Sequence, residues 1–262
     1  MIETLVSPSL ARRQPWQLFF LAVLFVSLAV IISLSVPSIA GGVVMLAMVP
    51  SIPLIWTLLV REETQETVET LRRDSWRYHL PLLKVFVFFF LGAAVAYAAW
   101  FAVLPVSDAQ TIFGAQLDEI QLIRGVAYGV PTGRIIQSDV AFNLFSHNLL
   151  VLGFMFAFTL IYGIGAVYLL LWNASIIGVF VGARLAEAPE LGVYSLLGIL
   201  PHGSLEIGAY LLATIAGGML SMALMRRTFE SPEFRIIVLD VVLLSFVSMA
   251  ILGLAALLES IV

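Results

Sequence analysis

The chain has 262 residues, 61% of them hydrophobic and only 11% charged, and its mean hydropathy is +1.06, whereas a soluble globular domain carries about a quarter charged residues. That balance excludes a separate soluble catalytic domain and a nucleic-acid partner, and it leaves a polytopic protein whose first partner is the lipid bilayer. The net charge of −4 is scattered over short loops, and the absence of cysteine removes disulfides and thiolate metal sites alike.

Apolar runs of about 20 residues cross a hydrocarbon core of about 30 Å as helices. The alternating pattern of a transmembrane barrel is absent, so the fold class is all-α. The first run, Trp16 to Val36, follows Arg12 and Arg13. It is longer than the apolar stretch of a signal peptide, about 7 to 15 residues, and is expected to be a retained helix. Further spans are expected near 40–60, 85–105, 147–166, 167–185, 203–225 and 236–258, about seven in all.

With the N-terminus cytoplasmic, Arg12, Arg13, Arg61, Arg72, Arg73, Arg77, Lys84, Arg226, Arg227 and Arg235 lie inside and only Arg124, Arg134 and Arg184 lie outside. The positive-inside rule selects that orientation, in a cell membrane, with the C-terminus outside.

Between the second and third spans, Arg61 to Lys84 carries acids and bases at helical spacing, such as Glu69 with Arg72 and Arg73, and reads as a cytoplasmic surface helix. Residues 1–84 are therefore expected to form a two-helix membrane hairpin plus that helix, and 85–262 a membrane core. From Asp108 to Arg124, Phe113, Leu117, Ile120 and Ile123 share one face, which predicts a helix lying on the membrane or capping the bundle. The turn-rich stretch Gly125 to Gly133 follows it.

Two stripes of small residues recur every four positions: Ala174, Gly178 and Gly182, then Ala209, Ala213, Gly217 and Ser221. Small residues let helix backbones approach closely in lipid. Packing within one chain is the favoured expectation, and a homo-oligomer uses the same spacing.

Among the seventeen acidic residues, Glu206 and Asp240 fall well inside predicted spans, where a carboxylate costs about 2.5–3.5 kcal/mol on insertion scales. Asp240, five residues after Arg235, is expected to reach water or a nearby arginine. Glu206 follows His202 by four residues, so the two share a helix face. Pro201 suits a first helical turn and Gly203 admits a neighbouring backbone, so LPHG predicts a broken or re-entrant helix. Asn143 and His147, also four apart, stand with Asn148 before the fourth span, and Asn173 precedes the glycine stripe. Together they predict one buried polar site drawn from three segments.

The stretch from Ser138 to Arg227, with FNLFSHNLLVLGF, the pair Asn173-Ala174 and LPHGSLEIGA from Leu200 to Ala209, resembles the stage II sporulation protein M (SpoIIM) family. Family members often have two adjacent asparagines where this chain has His147-Asn148, and a glycine where it has Ala174. The first two spans look like an addition to the family core. The resemblance implies a membrane component of an envelope-remodelling complex, since members in spore-forming bacteria belong to the engulfment machinery that works with cell-wall hydrolases.

Three functions compete on the residues. A non-enzymatic scaffold would use the polar cluster for bundle specificity. An intramembrane metal site would take His147, His202 and Glu206 as ligands for zinc or another divalent ion, the two-histidine-plus-carboxylate set that leaves a position for water in a hydrolase. No spare glutamate stands as general base beside His202 and Glu206, in contrast to an HExxH helix. A small-solute transporter would present the broken helix's positive end to its cargo.

Overall fold

The computed structural model describes residues 8–65, 68–128, 137–162, 165–226 and 229–259; the side chains at 8–9, 63–78, 123–128, 137–141, 144, 162, 166 and 259 and that of Asn143 lie outside that description. Every regular element among the described residues is helical. A short helix α1 (Pro8–Arg13) precedes α2 (Gln17–Ser35), followed by a 3₁₀ turn (Pro37–Gly42), α3 (Val43–Met48), a second 3₁₀ turn (Val49–Ser51) and α4 (Ile52–Gln65). Then come α5 (Val68–Val103), α6 (Val106–Tyr128), α7 (Gln137–Tyr162), α8 (Gly165–Glu187), α9 (Pro189–Arg226) and α10 (Pro232–Glu259). Six helical segments among the described residues are long and apolar enough to cross a membrane, and Phe145–Ile161 adds a shorter apolar one. The chain is a polytopic helical bundle of about seven spans.

The irregular crossing is the second one. Pro37, Pro50 and Pro53 each lack an N–H donor, and 3₁₀ turns stand at Pro37 and Pro50 while Pro53 sits in the first turn of α4, where the missing donor costs nothing. The break expected at LPHG is not there: α9 continues from Pro189 to Arg226 with Pro201 inside it. A lone internal proline removes one backbone bond, to Leu197, and the rest of this long apolar helix carries the turn through.

Glycines set how the spans meet. A Cβ on Gly178 would lie 2.5 Å from the Ala94 carbonyl oxygen, and one on Gly182 would lie 2.6 Å from that of Ala98. The α8 stripe is therefore pressed onto α5, with the two helices parallel. On α5 itself, a Cβ at Gly92 would run into the Phe19 carbonyl, and one helical stretch further on the Trp100 indole donates to Ser27 Oγ at 3.0 Å. α2 thus lies parallel to α5 as well. Gly217 of the second stripe meets the Phe156 carbonyl of α7 at 2.8 Å. Both stripes pack inside the chain.

The last two helices form a hairpin, and Ser231 starts α10 by accepting the Phe234 N–H at 3.2 Å, with Pro232 next to it where no donor is needed. At the end of the bundle away from α1, α6 packs on α8 and on the turn at Pro37. Its Ile112, Phe113 and Gln116 are buried, so the predicted amphipathic helix caps the bundle; Phe113 sits at a kink, φ −110° and ψ 16°, edge-on to Tyr97. The predicted turn region falls largely in 129–136, outside the described residues.

Candidate functional site

Two polar sites are built into the bundle, one of them around the motif LPHGSLE. α7 and α9 run parallel, and this brings Asn148 beside Glu206, whose carboxylate oxygen accepts the Asn148 amide N–H. A carboxylate in an apolar span is expensive alone, and an amide donor from a neighbouring helix is a partner that keeps it in place. Glu206 and Asn148 are both half-buried.

The other expected members are arranged differently. Asn173 turns back on its own helix and donates to the Leu169 carbonyl at 2.8 Å. His147 and His202 are half-buried, and the Nδ1 of His202 is enclosed with no hydrogen-bond partner. Pro201 is exposed, while Gly203 is buried and lines an apolar groove on the other side of α9. Asn143 lies outside the described side chains. Among the described residues no three His, Asp or Glu side chains are grouped so as to hold a metal ion.

The second site is at the α1 end. His79, at the start of the apolar part of α5, is 2% exposed and stands between two carboxylates that are each 1% exposed. Its Nδ1 is 2.9 Å from Glu62 Oε1 of α4, and its Nε2 is 2.5 Å from Asp240 Oδ2 of α10. The second Glu62 oxygen is ion-paired with Arg12 Nη2 of α1 at 2.8 Å. Carboxylates only accept, so both ring nitrogens donate at once only when the ring is protonated. In that state two cations balance two anions.

Four segments are thereby fastened by one cluster. Asp240 does not reach water, as its position near the span's end suggests, because α10 turns it into the bundle where it meets His79. His79, Glu62 and Arg12 carried no weight as site residues in the sequence, since Glu62 and Arg12 lie among ordinary flanking charges. The available signal was the count: the chain has three histidines, and one of them opens a transmembrane run.

A family model described as stage II sporulation protein M matches residues 85–262. No curated protein and no solved structure matches the chain.

Proposed function

The chain belongs to the SpoIIM family, and on that premise we propose that it is an integral membrane scaffold, a component of an envelope-remodelling complex. The observation that carries this reading is that the carboxylates inside the bundle are engaged across helices. Glu206 takes Asn148, and His79 takes Glu62 and Asp240. Groups bonded in this way hold a bundle in one arrangement and are not free to bind or activate a substrate. The partners fitting this role are envelope proteins, cell-wall hydrolases among them. The ten-to-three division of basic residues supports a cytoplasmic N-terminus in the cell membrane. The test is extraction of the full chain from its own membrane in mild detergent. An envelope protein present at a fixed ratio supports the scaffold; a chain that is always alone counts against it.

One observation favours a second reading. The enclosed, unpartnered Nδ1 of His202 is a nitrogen that a divalent metal such as zinc would satisfy, with Glu206 one turn away. Elemental analysis separates the two: one equivalent of metal that disappears in His202→Ala would establish this reading in place of the first. A small-solute transporter loses the broken helix end that suggested it, because α9 is continuous through Pro201.

A further inference from the structure

The motif LPHGSLEIG has two faces, and the second one is unused by the polar site. While Glu206 faces α7, Gly203, Ser204 and Gly208 line an apolar groove between α5, α8 and α9, with a volume of about 480 Å³. Ser204 is the one polar residue in its wall. Along α5 the groove follows Val87, Leu91, Ala94 and Ala98, a spacing of four, three and four that traces a single helix face. It therefore runs along the helix axis. From Val87 to Ala98 the rise is roughly 16 Å, close to half of a hydrocarbon core of about 30 Å. The groove is one leaflet long.

Its two ends differ in charge. Lys84 lies three residues before Val87 on the same face of α5, and it is exposed with no ion pair among the described residues. Beyond the other end, Arg184 is three residues past Val181 on α8, but it already holds Glu187 at 2.9 Å. A free cation thus stands one turn outside the end of a leaflet-long apolar channel. That is the charge and shape complement of an anionic phospholipid lying along the bundle.

We propose that this groove holds one acyl chain of an anionic phospholipid whose phosphate sits at Lys84. Gly208 has a defined part in this. A Cβ built on it meets nothing within 4 Å, so glycine there leaves the channel open rather than permitting helix contact. The adjoining Gly178 does the reverse, since its Cβ would strike Ala94 of α5.

The full chain in micelles containing equal amounts of dipalmitoyl phosphatidylglycerol and dipalmitoyl phosphatidylcholine, released into a native mass spectrometer, provides the test. One phosphatidylglycerol per chain is expected, in preference to phosphatidylcholine. Gly208→Leu fills the channel and lowers occupancy about tenfold. Gly153→Leu, an equally open glycine on α7 outside the groove, leaves it unchanged. Lys84→Glu keeps the chain folded and abolishes the preference for the anionic lipid. Occupancy in Gly208→Leu equal to wild type, or no lipid preference in wild type, overturns the proposal. Ser204→Cys, in a chain with no other cysteine, adds a check on a protein occupant. Disulfide-linked dimers at high yield would place a second copy in the groove and overturn it too.

Discussion

His79 Nε2 lies 2.5 Å from Asp240 Oδ2, joining residues 161 positions apart in the chain. The same ring reaches Glu62 on its other side, so one histidine bridges two buried carboxylates. Replacing it leaves like charges facing a vacated space. His79→Ala is expected to destabilise the bundle by about 3–5 kcal/mol, the usual cost of breaking a buried charged pair from one side. Thermal unfolding in detergent measures it. The double variant His79→Ala/Asp240→Ala should lose less than the sum of the two single losses, because each single change strands the other's partner; strict additivity would show that the pair is not coupled.

The Asn148–Glu206 bond predicts an asymmetry. Glu206→Gln keeps an acceptor for the Asn148 amide and is expected to cost about 1 kcal/mol or less. Asn148→Leu leaves the carboxylate in an apolar span without its donor and should cost about 1–3 kcal/mol. Equal losses for the two variants in a denaturation series would mean that Glu206 is held by something other than Asn148.

At the crossing of α5 and α8, glycine is required by contact. Gly178→Leu drives a side chain into the Ala94 carbonyl and should destabilise by about 1–3 kcal/mol, the range for overpacking. The same change at Gly153, which meets nothing within 4 Å, should leave the melting temperature near or slightly above that of wild type, because leucine is the better helix former. A melting temperature unaffected by Gly178→Leu would refute the close approach of the two helices.

Much of this fold is legible in the sequence because lipid imposes a simple rule: runs long enough to cross must be helical, and stripes of small residues mark where helices touch. The Ala174–Gly178–Gly182 stripe and the buried face of α6 follow from that rule and are found in place. The break at LPHG does not follow. Proline at 201 suits a helix start, but local chemistry alone does not say whether preceding residues already form a helix, and Pro189 with Glu190 supplies an earlier start. Pairing is the least legible level. Glu206 announced itself by its cost in an apolar span, yet which asparagine would satisfy it depended on α7 and α9 running side by side. His79 and Glu62 are concealed for a related reason, since each borders a stretch of ordinary flanking charge and only the third dimension brings His79 between Glu62 and Asp240.

The proposal that the buried polar groups fasten a scaffold has one decisive measurement. This is the composition of the full-length complex extracted from its native membrane, wild type beside Glu206→Gln, read for both protein stoichiometry and bound metal. The account predicts an envelope protein at the same fixed ratio in both, with no equivalent of metal in either. A chain isolated without any protein partner, carrying one equivalent of divalent metal that Glu206→Gln removes, would contradict it.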